Sequence, residues 1–238
     1  MRPIPYIILF LFSAVFARAQ QVIDVSKTDY NNGASNGDAN MAVGGLVYSP
    51  VKFVRVTAGT PFFKEEWMKG TLVLEGGKAY SNLWLRLNLL DNEINYKDAK
   101  GQEMVATSPI KYINLTDSAA GAKYDFVRGA QFGIGDNILA KTFFQVLVND
   151  NKVSLCRQIT KRIHEAIAYG TATTEQDIVT LNFYYVRMNG NFSRFKWDDW
   201  QEIFKDKKDQ LSQYIHTNHL KGKTEEDFTK LVTYYNTL

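Results

Sequence analysis

The sequence predicts a mainly β fold, in which an antiparallel meander forms a partly open barrel or a sandwich. A C-terminal helical segment is predicted to pack on this meander, so the overall class is α+β. Three observations predict this. Apolar and polar residues alternate between residues 61 and 195, as they do in strands with one buried face. Between residues 196 and 238 the apolar residues recur with the period of a helix. The 238 residues are 45% hydrophobic and 13% aromatic, which is enough apolar material for a sizeable core.

Residues 1–19 are predicted to be a secretory signal peptide. Arg2 supplies a positive start, an apolar run extends from Tyr6 to Phe16, and Ala17-Arg18-Ala19 has the pattern of a cleavage site. A membrane anchor is the alternative, but the run is shorter than the roughly 20 apolar residues that span a bilayer. We therefore expect an exported protein with no transmembrane span after cleavage.

Residues 20–60 are predicted to form an N-terminal extension. The apolar stretch Val22–Val25 precedes residues 31–40, in which Asn, Gly, Ser and Asp follow one another without an apolar period. Such a run is typical of a linker. Val51–Val56 is a candidate strand before the turn at Gly59-Thr60-Pro61.

Residues 61–195 are predicted to be the β-rich body. In its clearest strand, Leu83–Leu89, every second residue is leucine, and Trp84 and Arg86 lie on the opposite, polar face. Two hairpins are predicted near the end of the body. One joins Phe143–Val148 to Val153–Ile159, and the other turns at Asn189-Gly190, a pair that favours a type I′ turn.

Residues 196–238 are predicted to be helical. Trp197, Trp200 and Phe204 begin an apolar stripe at helical spacing, and Thr224–Asp227 has the pattern of a capping box at the start of a last helix. These helices carry too much apolar surface to remain in water. We expect them to dock on the β-rich body.

Charge and cysteine content exclude several functions. The chain has 28 basic and 25 acidic residues, a net charge of +3, which argues against a nucleic-acid-binding domain. The one cysteine, Cys156, excludes an internal disulfide framework and a multi-cysteine zinc site. Because Cys156 lies in an alternating segment, we expect an inert, half-buried thiol; a catalytic thiol would need a positioned base.

No metal, cofactor or catalytic site is predicted. His216 and His219 are spaced like two ligands on one helical face, but a zinc site needs a third ligand. The glycines at 129, 133 and 135 lack the Lys-Ser/Thr of a phosphate-binding loop, which favours a loop or bulged strand.

Eight short motifs occur along the chain in an order that is shared with another group of proteins. They are Gly59–Phe63, Glu66–Leu74, Tyr80, Leu85–Asn88, Glu93-Ile94, Ile110–Ile113, Glu225–Phe228 and Leu231–Asn236. In this layout the chain resembles exported Bacteroidota proteins of unknown function. The resemblance covers about two-thirds of the chain. It implies a Gram-negative envelope setting, in which the protein is periplasmic, associated with the outer membrane or extracellular. It brings no assigned reaction.

These features predict a soluble, non-enzymatic envelope protein that binds or scaffolds another envelope component. Trp84 and Arg86 form the candidate interaction surface, since exposed Trp and Arg are favoured at interfaces; the alternative is that Trp84 lies under the C-terminal helices. Ser118, in Asp117-Ser118-Ala119, matches the Asp-Ser/Thr-apolar motif that many Bacteroidota O-glycosylate. Two other functions stay open, a lipocalin-like carrier of a small apolar ligand and an enzyme with an unrecognised site.

Overall fold

The computed structural model describes residues 22–25, 43–49, 55–167 and 174–238. The predicted signal peptide and the linker run at 31–40 lie outside the described residues, as do residues 51–54 of the candidate strand before Gly59. None of the helices in the described part is long and apolar enough to span a membrane.

Within the described residues, thirteen strands form one mixed sheet. The strands are β1 (Val22–Asp24), β2 (Gly45–Val47), β3 (Val56–Ala58), β4 (Met68–Leu74), β5 (Ala79–Asn88), β6 (Glu93–Lys97), β7 (Glu103–Ala106), β8 (Ile110–Asp117), β9 (Ala122–Arg128), β10 (Phe143–Val148), β11 (Val153–Ile167), β12 (Thr174–Met188) and β13 (Asn191–Phe195). Eleven of them follow one another in the order β13-β12-β11-β10-β9-β8-β4-β5-β6-β7-β2, and these neighbours are antiparallel. The other two pair in parallel, β1 with β5 and β3 with β12. The predicted mainly β class with a helical C-terminus is confirmed.

The sheet is open in its pairing but strongly curled. Gly59 lies against β12, where an added Cβ would be 2.0 Å from the carbonyl oxygen of Ile178. Two residues later, the carbonyl of Pro61 accepts a hydrogen bond from Leu89 N, just after β5 (2.9 Å). In a flat sheet, the five strands between β12 and β5 would hold them about 29 Å apart, whereas two residues span only about 7 Å. The sheet must therefore bend back toward itself.

The concave side of this curl holds the first core. Alternate residues of β5 point into it, as the leucine pattern predicts, and they meet residues of β4, β8 and β9. Its fully buried members include Leu72, Leu85, Leu87, Ile113, Leu115 and Phe126. The packed leucine face leaves the polar face of β5, which carries Trp84, on the outside of the sheet.

The second core lies between the last strands and the C-terminal helices, as predicted. The helices are α2 (Trp200–Ile203), α3 (Lys208–Thr217) and α4 (Glu225–Thr237), linked by 3₁₀ turns at Trp197–Asp199 and Lys205–Lys207. The predicted capping box is present, with the Thr224 side chain accepting from Asp227 N. Their apolar residues pack on Val153, Leu155 and Val186 of the sheet.

One helix within the β-rich body was not predicted. After β9 the chain forms a 3₁₀ turn, Gly129–Phe132, and then the short helix α1, Asn137–Lys141. The Asp136 side chain caps this helix by accepting from Ile138 N and Leu139 N, at 2.9 and 2.8 Å. The segment covers a third apolar cluster on the outer face of the sheet, around Phe144, Cys156 and Tyr185.

The predicted hairpin at Asn189-Gly190 is confirmed. These residues have φ of 51° and 78°, as a type I′ turn requires.

The N-terminal extension contributes β1, β2 and β3 to the sheet, and Val25 and Val43 to the first core. The described parts of this extension are therefore built into the body.

Candidate functional site

Trp84 lies on the outer face of the curled sheet and is 44% exposed. Its cross-strand partner is Lys69 of β4. The Lys69 Nζ lies 4.4 Å from the centroid of the Trp84 ring and donates to the carbonyl of Asn82 (3.0 Å). The alternative that the C-terminal helices cover Trp84 is wrong. Trp84 is exposed, and those helices pack on residues of β11, β12 and β13.

Arg86, two residues along β5, is largely covered. Its guanidinium carbon lies 3.7 Å from the Phe62 ring centroid and 4.7 Å from that of Trp67. It forms ion pairs with Glu103 (2.7 Å) and Glu65 (3.6 Å), and only 13% of its side chain is exposed. Of the two residues predicted as an interaction surface, only Trp84 is accessible; Arg86 supports the surface from beneath.

Lys97 of β6 extends this surface on the side away from Lys69. Its Nζ lies 4.9 Å from the Trp67 ring centroid, and the pairing of Leu85 with Tyr96 places it beside Trp84. In the described part of the chain, neither lysine forms an ion pair with a carboxylate. We call Trp67, Lys69, Trp84 and Lys97 the Trp84 patch.

A second site lies at the far end of the sheet, where two hairpin turns meet the C-terminal helices. It is a polar cavity of about 450 Å³, here called the hairpin cleft. Small-molecule sites typically have volumes of roughly 300–1,000 Å³. The cleft is lined by Asn149, Asp150, Asn151, Lys152, Ser154, Arg187, Met188, Asn189, Gly190, Asp206 and Tyr235.

The floor of the hairpin cleft is held by hydrogen bonds. The Tyr235 hydroxyl donates to the carboxylate of Asp206, 3.1 Å from each oxygen. The Lys152 Nζ donates to the carbonyl of Tyr235 (3.3 Å) and lies 4.8 Å from its ring centroid. Asn236 clamps the backbone of Val153, donating to its carbonyl (2.9 Å) and accepting from its amide (3.0 Å). Burial, together with the hydrogen bond to Asp206, raises the pKa of Tyr235 to about 12.

The rim of the cleft is less constrained. Asn149, Asn151, Arg187 and Asn189 are exposed, and no side-chain hydrogen bond or ion pair joins any of the four to the described residues. Four polar side chains on the rim are thus available to a ligand.

The hairpin cleft could not be predicted from the sequence. Residues 149–152 and Asn189-Gly190 each connect two strands, as predicted, but nothing in either pattern shows that the two turns face each other. Tyr235 belongs to the last helix, and its position 83 residues from Lys152 carries no local signal.

The remaining candidate residues lie apart from both sites. Cys156 was expected to be half-buried, but it is fully buried in the third cluster, and burial raises the pKa of its thiol to about 12. Ser118 is exposed in the turn between β8 and β9. His216 and His219 are exposed at the end of α3, and the described residues contain no group of three or more potential metal ligands.

No protein-family model, curated protein or solved structure matches this chain.

Proposed function

We propose that this chain is an exported, non-enzymatic protein of the bacterial cell envelope that binds an acidic partner protein through the Trp84 patch. The observation that carries the proposal is an exposed tryptophan between two lysines, Lys69 and Lys97, that no carboxylate of the described residues neutralises.

The patch has the properties of a binding surface. Large aromatic side chains contribute much of the energy of protein interfaces, because they bury a large area with little loss of conformational freedom. Trp84 is on a central strand, and Arg86 fixes the neighbouring Trp67, so the surface is ordered before a partner arrives. A preordered surface loses less entropy on binding.

The charge of the patch selects the partner. Glu65 and Glu103 are both held by Arg86, and among the described residues no carboxylate forms an ion pair with Lys69 or Lys97, so both positive charges can attract the carboxylates of a partner. Complementary charge favours encounter with an acidic surface and disfavours a basic one.

The envelope setting rests on the sequence. The signal-peptide pattern of residues 1–19 supports export, and the resemblance to exported Bacteroidota proteins supports a Gram-negative envelope. The packed side chains on the concave side of the sheet favour a binding protein over a lipocalin-like carrier, because they occupy the space that an apolar ligand would need.

The test uses the mature protein and envelopes of the bacterium that encodes it. We expect affinity purification to recover a reproducible acidic partner, and the purified partner to bind less tightly as salt concentration rises. Trp84→Ala and Lys69→Glu should abolish this binding, whereas Lys208→Glu, at an exposed site on α3, should leave it unchanged. Failure to recover a partner, or equal binding by the Trp84→Ala protein, would overturn the proposal.

Export is tested separately. N-terminal sequencing of the protein from the source bacterium should begin at Gln20. A chain that keeps residues 1–19 and stays in the cytosol would contradict the envelope assignment.

A further inference from the structure

We propose that the hairpin cleft binds a short neutral saccharide. The cleft is independent of the Trp84 patch: it is built from the turns at the ends of β10–β13 and from Asp206 and Tyr235 of the helical segment.

The charges in the cleft balance. Lys152 and Arg187 bring two positive groups, and Asp150 and Asp206 bring two carboxylates. A phosphate or carboxylate ligand would be attracted by the first pair and repelled by the second. A neutral ligand that offers both hydrogen-bond donors and acceptors meets no such conflict.

The free polar groups on the rim match hydroxyl chemistry. A sugar hydroxyl donates one hydrogen bond and accepts others. The amides of Asn149, Asn151 and Asn189 each offer donors and an acceptor, and the Arg187 guanidinium offers only donors. Several such groups around one cavity can satisfy adjacent hydroxyls of one ring, an arrangement that a ligand with a single polar group cannot use.

The floor of the cleft favours binding by hydrogen bonds over stacking on an aromatic ring. The ring of Tyr235 is packed in the second core, and the residue is only 1% exposed. Its hydroxyl is already committed to Asp206, which keeps the carboxylate in place beside the ligand. Because Lys152 is likewise held by the Tyr235 carbonyl, the donors and acceptors of the floor need little rearrangement.

The experiment titrates the mature protein with a panel of neutral sugars, namely glucose, galactose, mannose, N-acetylglucosamine and their common disaccharides. Binding is followed by two-dimensional ¹H–¹⁵N NMR of the protein, and inorganic phosphate is titrated in the same way as an anionic comparison. We expect saturable binding of at least one sugar and a weaker response to phosphate.

Three variants locate the site. Arg187→Gln should weaken sugar binding about tenfold, since hydrogen bonds from charged groups are among the strongest. Asn189→Gly keeps the positive φ of the turn and removes one amide, so it should weaken binding without loss of thermal stability. Arg194→Gln, on β13 and outside the cleft, is the matched control and should bind like the unaltered protein.

The sugar titrations of the unaltered protein and the variants either support or overturn the proposal. A sugar that binds the unaltered protein and Arg194→Gln, and binds Arg187→Gln about tenfold more weakly, supports the proposal. No saturable sugar binding, equal binding by Arg187→Gln, or a response to phosphate alone overturns it.

Discussion

Phe228, on the first turns of α4, joins the C-terminal helices to the sheet, and its replacement by alanine tests that docking. The side chain is 6% exposed. Its ring stacks on Tyr184 of β12 at 4.2 Å and meets Phe195 of β13 edge-on at 5.2 Å. It also meets Trp197 edge-on at 5.4 Å.

The expected loss follows from these contacts. Removing a buried phenylalanine side chain typically lowers the free energy of unfolding by about 3–5 kcal/mol. Three aromatic partners around one ring place Phe228 in the upper part of this range, because each aromatic pair contributes about 0.5–1.5 kcal/mol beyond burial. In a chain of this size, a loss of about 4–5 kcal/mol lowers Tm by roughly 8–20 °C.

Urea unfolding followed by tryptophan fluorescence measures the loss, and thermal unfolding by circular dichroism checks it. Phe228→Leu should lose less than Phe228→Ala, because it refills most of the site. Ile138→Ala is the control, since this side chain is 78% exposed on α1 and should change stability by less than about 0.5 kcal/mol. A loss for Phe228→Ala no larger than that of the control would refute the docked arrangement.

Four further predictions follow from the same structure. Cys156 should resist alkylating reagents at neutral pH until the protein unfolds, because it is buried and its thiol pKa is raised to about 12; rapid labelling of the native protein would contradict its place in the core. The free energy of unfolding should fall as pH rises from about 10 toward 12, because an unfolded tyrosine ionises near pH 10 while the folded pKa of Tyr235 is raised to about 12; Tyr235→Phe should show a shallower decline in pH-dependent urea unfolding. Gly222→Ala should lower Tm more than Gly133→Ala, since both have positive φ but only at Gly222 does an added Cβ meet the Trp197 ring, at 1.9 Å; equal losses would show that backbone strain alone matters. A chain ending at residue 196 should melt at lower temperature and aggregate, since truncation exposes the second core; a soluble monomer of unchanged Tm would mean that the helices form a separate module.

Features set by neighbouring residues were predictable. The Asn189-Gly190 hairpin follows from the tolerance of both residues for positive φ. The inward leucines of β5 follow from the two-residue period of a strand, and the capping box at Thr224 from side chains three residues apart. In each case the sequence spacing itself fixes the geometry.

Features set by residues far apart in the chain could not be predicted from the sequence. The sequence pattern treats Trp84 and Arg86 alike, but Phe62, Trp67 and Glu103 reach only Arg86 and cover it. Helix α1 was missed because five residues carry no clear period, and its start depends on the side chain of Asp136.

The sequence by itself determined the leucine face of β5, the helical character of residues 196–238 and the two main hairpin turns, because these depend on spacings of a few residues. Only the tertiary structure decided that β8 returns to pair with β4, that the sheet curls toward itself, and that two turns and Tyr235 line the polar hairpin cleft. The physical reason is that strand pairing and burial join residues far apart in the chain, and no local propensity specifies which distant partner each element will meet.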